Sequence, residues 1–221
     1  MSDTAAKPPA RGRPRRSQQE TQEMQARILR AARALFARDG YGGVSMRKLA
    51  AAAGCAPAAL YAYFPNKRAV LRVLWQDVFA ELGADMRAAL DTAMRAAAGK
   101  TDDPLDKLHV LTAAAIRFWL ARPDDYRAIF LIEDAPVEPG GTYFAEESGV
   151  RDSLGLLVEA AAEAAALGHL RIRDPQRILA LFIGAMNGIA LNLITIPEQD
   201  WGAPDVLIDD MVTTLITGLR A

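Results

Sequence analysis

The chain has 221 residues, 51% hydrophobic and 24% charged, with a single cysteine, Cys55. This is the composition of a soluble globular protein long enough for a sizeable core, and one cysteine excludes an internal disulfide framework or a cysteine-based zinc site. The net charge of −1 conceals a division. Residues 1–72 hold 14 Lys and Arg against 4 Asp and Glu, a balance of +10, whereas residues 73–221 balance at −11. A basic head on an acidic body points to a nucleic-acid-facing N-terminal part.

Residues 1–22, rich in Pro, Arg, Ser and Gln, read as a disordered basic arm with no apolar run of the secretory kind. Helical periodicity begins at Met24, with Ile28, Ala31, Ala32, Leu35 and Phe36 on one face and Gly40 as a C-terminal stop. Ser45 can cap a short helix whose inner face is Met46, Leu49, Ala50 and Ala53, closed by Gly54. Pro57 suits the first position of the next helix, Ala58 to Phe64, which Pro65 breaks. Asn66 can cap a long helix marked by Val70, Leu71, Leu74, Val78, Leu82, Met86 and Leu90, running toward Gly99. Further helices are expected at about Pro104–Ala121, Asp124–Glu133, Glu146–Leu167, Asp174–Ile196 and Asp205–Arg220, with Ala135–Thr142 as a loop. Since no alternating strand pattern is present, the expected fold is all-α: a head over 23–72 joined by a long helix to a body over 73–221.

Two short helices joined across Gly54-Cys55-Ala56 form a helix-turn-helix arrangement, whose second helix faces the major groove. The run Ser45-Met46-Arg47-Lys48-Leu49-Ala50, then Ala53-Gly54, then Leu60-Tyr61-Ala62-Tyr63-Phe64-Pro65-Asn66-Lys67, resembles the DNA-binding domain of the tetracycline-repressor (TetR) family, over roughly Ile28 to Leu74. The resemblance implies a DNA surface made of Ser45, Arg47, Pro57, Ala58, Ala59, Tyr61, Tyr63 and Lys67. In it Arg47 contacts phosphate or base edge, the tyrosines touch the backbone, and Lys67 binds a phosphate at a helix N-terminus. Three residues depart from the family pattern: Ala56 stands for the usual Ser cap, Cys55 for a β-branched residue and Lys48 for an acidic capping partner. Ala58, Ala59 and Ala62 offer only apolar contact to thymine methyls, so discrimination is expected to lean on Arg47, Tyr61 and DNA shape. In the arm, Arg11, Arg13, Arg15 and Arg16 resemble the core of an AT-hook. They either enter an A·T-rich minor groove or form a solvated basic tail.

In the body, Ile178 to Pro197 is an uncharged run of 20 residues, long enough to span a bilayer. Asn187, Asn192 and Thr195 lie within it and interfacial anchors are missing, so a buried or inter-subunit helix is expected and no membrane. Ala180, Gly184, Gly188 and Asn192 form a small-residue ridge, and Leu207, Met211 and Leu215 belong to the apolar stripe of the last helix. Two such helices per chain suit a four-helix homodimer interface; burial within one chain is the alternative. Phe118-Trp119-Leu120-Ala121-Arg122-Pro123, Tyr126 and Phe130, with Met186-Asn187-Gly188, resemble a C-terminal domain class named for a Trp-His-Gly motif, with Met186 and Asn187 in place of its Trp and His. Phe79, Met86, Phe118, Trp119, Phe130, Met186 and Asn187 are candidates to line a pocket for a small, largely apolar effector, or else are core.

His109 and His169 belong to no metal-binding pattern, and no phosphate loop or nucleophile elbow is present, so no metal, cofactor or catalytic residue is expected. The combined reading is a cytoplasmic, ligand-responsive regulator, most simply a repressor, that binds a palindromic operator in double-stranded DNA as a homodimer. Two rivals remain: an architectural protein selecting A·T-rich DNA through its arm, and an enzyme using a helical-bundle pocket.

Overall fold

The computed structural model describes residues 18–96, 103–131, 150, 152 and 154–221. The arm arginines Arg11, Arg13, Arg15 and Arg16 and the expected loop Ala135–Thr142 lie outside the described residues. Within them the chain is all-α: α1 (Gln18–Gly43), α2 (Met46–Ala52), α3 (Pro57–Tyr61), α4 (Lys67–Ala96), α5 (Pro104–Ala121), α6 (Pro123–Phe130), α7 (Gly155–Ala166), α8 (Pro175–Thr195) and α9 (Pro204–Leu219).

Several boundaries differ from the sequence expectation. α1 begins at Gln18 rather than Met24, so residues 18–22 are helix and not arm. Gln19 donates to Glu23 one turn later at 3.0 Å, and Glu20 complements the positive end of the helix dipole. Gly40 breaks the helix as expected, at φ 65°, and a last turn follows it to Gly43. α3 stops at Tyr61 instead of Phe64; Ala62 and Tyr63 close it with tighter bonds to the Ala59 and Leu60 carbonyls, and Pro65 disfavours helical backbone at Phe64. α6 ends at Phe130, and the expected start of α7 at Glu146 lies outside the described residues.

Side-chain caps set four of the helix starts. Ser45 accepts from Lys48 N–H at 3.3 Å, Asn66 from Ala69 at 2.8 Å, Asp103 from Leu105 at 2.9 Å and Asp174 from Gln176 at 3.0 Å. The head core is Ile28, Ala32, Phe36, Leu49, Ala50 and Leu60, each no more than 2% exposed. α4, about 45 Å long at 1.5 Å per residue, runs from this core into the body. There α5 is apolar on most of its circumference and packs against α4, α6, α7, α8 and α9. α8 is the helix, among the described residues, long and apolar enough to cross a membrane. Here one of its faces, Ile178, Phe182, Met186, Ile189, Ala190 and Ile194, is buried in the body.

Candidate functional site

The reading surface of the head is built at the corner between α2 and α3. Gly54 takes φ +63°, a left-handed conformation that a Cβ would strain, and the N–H groups of Gly54 and Cys55 close α2 onto Ala51 and Ala50. Cys55 is half-buried against the core. Leu49 and Leu60, both fully buried, lock the two helices together; truncating either would cost about 2–5 kcal/mol. Ala56 provides no side-chain cap, and Pro57 begins α3. Outward face Arg47, Pro57, Ala58, Ala62 and Tyr61, the last 54% exposed, while Ala59 and Tyr63 are half-buried. Ser45 uses one lone pair on its cap, which leaves its hydroxyl proton available as a donor.

Lys67 has a different immediate role from the one the resemblance implies. Its ammonium donates to the carbonyls of Tyr41 at 2.8 Å and Val44 at 3.1 Å, and lies 4.0 Å from the centre of the Tyr41 ring. It therefore ties the start of α4 to the turn that leads into α2. Lys48 donates to the Gly43 carbonyl at 2.7 Å and lies 3.8 Å from Asp39. Asp39 is paired to Arg38 at 2.7 Å, and this hydrogen bond holds its carboxyl below the usual value. Arg47 is exposed, and no described group pairs with it.

In the body, the candidate pocket residues form an aromatic cluster. Trp119, fully buried, meets Phe79, Phe118, Tyr126 and Phe130 edge-on, with ring centres 5.0–5.8 Å apart. Met86 and Met186 are also buried, and Phe130 reaches the surface at 36% exposure. Trp119 Nε1, Thr112 Oγ1 and Asn187 Oδ1 are buried with no hydrogen-bond partner among the described residues.

On α8, Ala180, Gly184 and Gly188 are exposed together with Leu181 and Leu191, and Asn192 is half-buried. A Cβ built on Gly184 or Gly188 meets nothing within 4 Å. Leu207, Met211 and Leu215 are half-buried and pack on the core. α9 is fastened to α5 by Arg117–Asp205 at 2.7 Å and His109–Asp209 at 3.0 Å.

Sequence reading missed the junction of head and body. Arg33 of α1 and Asp125 of α6 form an ion pair at 2.8 Å, and cavities of about 410 Å³ and 350 Å³ open on either side of Arg30 and Arg33. Burial pushes the Asp125 carboxyl above its usual value, against the opposing pull of Arg33. Trp75 of α4 donates to the Ala128 carbonyl at 3.2 Å. On the other side of α6, the Tyr126 hydroxyl donates to Asn187 O at 3.1 Å and Arg127 to Ile194 O at 2.7 Å, both on α8. No local pattern signals these contacts, because their partners are far apart along the chain.

A short helix pair on a basic head, continued by a long helix into an all-helical body, defines a helix-turn-helix DNA-binding protein. Residues 28–74 match the family model described as "Bacterial regulatory proteins, tetR family", so the chain carries the DNA-binding domain of this family of transcription regulators. Solved structures share the whole fold. They include a TetR family transcription regulator from Marinobacter aquaeolei VT8 (16% identity, TM-score 0.68, covering 92% of this chain and 99% of that one). A tetR-family regulatory protein from Rhodococcus RHA1 has 19% identity and a TM-score of 0.66, with 90% and 98% covered. The regulator FadR of Bacillus subtilis, in complex with stearoyl-CoA, has 16% identity and a TM-score of 0.69, with 88% and 99% covered. At these identities the likeness is one of fold. No curated protein sequence matches the chain.

Proposed function

We propose that this chain is a cytoplasmic, homodimeric repressor that binds a palindromic operator and is released by a small, largely apolar effector, with no catalytic role. The observation that carries this reading is the outer face of α8. Ala180, Leu181, Gly184, Gly188 and Leu191 form an apolar, low-relief strip in solvent, while the opposite face of the same helix is buried. A second copy packing on this strip about a two-fold axis, with Leu207, Met211, Leu215 and Asn192 at its margin, removes apolar surface from water and closes the assembly. Two heads related by that axis read two half-sites of opposite orientation. This reading takes the residues before α1 as the arm, α1 to residue 72 as the head and 73–221 as the body, and the arm arginines as minor-groove or phosphate contacts.

Support for an effector comes from the aromatic cluster around Trp119. Thr112, Trp119 and Asn187 bring unpaired polar atoms to an otherwise apolar interior, the combination that fixes a ligand's orientation. The structurally similar FadR is in complex with stearoyl-CoA, whose acyl chain is apolar. Binding the body in a conformation whose head spacing mismatches the operator weakens DNA binding only as far as the effector prefers that conformation.

The test is selection of binding sites from a random duplex library by the full chain at physiological salt. An enriched inverted repeat is the expected result. Recovery of A·T-rich DNA without symmetry overturns the dimeric reading in favour of arm-dominated architectural binding.

A further inference from the structure

We infer that, alongside Arg47, the head distinguishes bases through the 5-methyl groups of major-groove pyrimidines, with Ala58 and Ala62 as the contacting surface and Tyr61 beside them. This rests on the helix-turn-helix reading and adds the chemistry it recognises. From Gly54 through Leu60 no side chain carries a nitrogen or oxygen atom. The exposed positions of α3 and its C-cap are Pro57, Ala58, Tyr61 and Ala62, so its outward surface is two methyl groups, a pyrrolidine ring and one phenol. Alanine next to a thymine methyl is a recognised apolar contact, whereas bidentate reading of guanine or adenine needs Arg, Lys, Asn or Gln.

The cations around this surface do not supply that missing group. Between Met46 and Phe64 only Arg47 and Lys48 are charged, and both belong to α2. Lys48 is directed back to Gly43 O and Asp39, and Lys67 to Tyr41 O and Val44 O. Where the exposed Lys48 tie exchanges for DNA, its natural partner is a phosphate, which fixes register without reading sequence, whereas Lys67 stays on its part-buried carbonyls. Arg47 is left as the single unpaired cation of the unit among the described residues, one guanidinium for a whole half-site. The remaining discrimination falls to the methyl surface. The head is also placed to accept 5-methylcytosine where it accepts thymine, because both present the same group at the same position in the groove.

The experiment uses the full chain and the duplex recovered by site selection. Each thymine is replaced in turn by deoxyuridine, which removes only the 5-methyl group, and affinity is read by fluorescence anisotropy. The expected result is a loss of roughly fourfold per contacted methyl, at symmetry-related positions in the two half-sites, the size that burying one carbon's worth of apolar surface implies. Replacing the same thymine·adenine pair by cytosine·guanine weakens binding, and 5-methylcytosine recovers part of it. In Ala58→Gly the deoxyuridine penalty at one position disappears, while Ala58→Ser, which keeps the helix, provides a folded control at this exposed site. Sequence-specific binding with no deoxyuridine penalty anywhere overturns the inference and leaves the regulator reading intact. So does a penalty that Ala58→Gly leaves unchanged at every position and that is spread over all thymines, since that reports DNA shape. Failure to select any specific duplex removes both.

Discussion

The guanidinium of Arg33 lies 2.8 Å from the carboxylate of Asp125, joining the first helix of the DNA-binding head to the short helix α6 of the body. Asp125 is 6% exposed at its side chain and Arg33 38%. Removing one partner of a buried pair leaves an uncompensated charge, at about 3–5 kcal/mol when both are fully enclosed. The partial exposure of Arg33 reduces this, so Arg33→Ala is expected to lower unfolding stability by about 1–3 kcal/mol at neutral pH, with Asp125→Asn less damaging. Denaturant unfolding of the two single variants and the double variant measures the coupling.

The same pair predicts a direction in pH. Burial outweighs Arg33 and raises the Asp125 carboxyl above its ordinary 3.8 in the folded chain. The folded state therefore keeps this proton to a higher pH than the unfolded state does. The contribution is complete below 3.8 and is lost as pH rises through the folded value. Asp125→Asn has no such titration, so its stability relative to the parent chain should increase with pH across that interval and then level. A constant difference across the acid limb would show that Asp125 is not the titrating group.

Lys67 separates structural from DNA-binding roles. With its ammonium on Tyr41 O and Val44 O, Lys67→Gln should destabilise the head by about 1–2 kcal/mol, the cost of leaving part-buried carbonyls without a charged donor. The salt dependence of DNA binding should hardly change. A fall in the salt slope by about one, with stability untouched, would restore the phosphate-binding role that the family resemblance implies.

Arg47 should behave oppositely. It is exposed and unpaired among the described residues, so Arg47→Ala is expected to leave thermal stability within about 0.5 kcal/mol. Affinity should drop by about 1–3 kcal/mol at particular base pairs, read by comparing duplexes altered one position at a time. An equal loss on every duplex would assign Arg47 to a phosphate.

At Gly184 folding and assembly should move in opposite directions. Nothing lies within 4 Å of the added Cβ, and alanine exceeds glycine by about 1 kcal/mol in a helix interior, so Gly184→Ala should raise monomer stability. If α8 pairs with its copy there, the same methyl holds the helices apart and weakens the dimer. Sedimentation over a concentration series, run beside thermal unfolding, distinguishes the two effects.

Most of the helical framework was legible in the sequence because its signals are local. Ser45, Asn66 and Asp174 each cap a helix at the expected place, Asp103 caps the helix expected from about Pro104, and Gly40, Gly54 and Pro65 interrupt the chain where backbone geometry requires. The head was legible for the same reason: its core spacing and its Tyr-x-Tyr-Phe-Pro-Asn-Lys run are contiguous. What each side chain touches was not. The direction of the Lys67 ammonium depends on carbonyls that α1 and its last turn deliver, and the Arg33–Asp125 pair depends on α6 docking against α1. Likewise, the uncharged run of α8 is compatible with a membrane, a core or an interface, and only its packing buries one face and leaves Leu181 and Leu191 outside. Sequence determines backbone propensity and amphipathic period over a few turns; the tertiary fold determines which distant polar group meets which, because that depends on how whole helices cross.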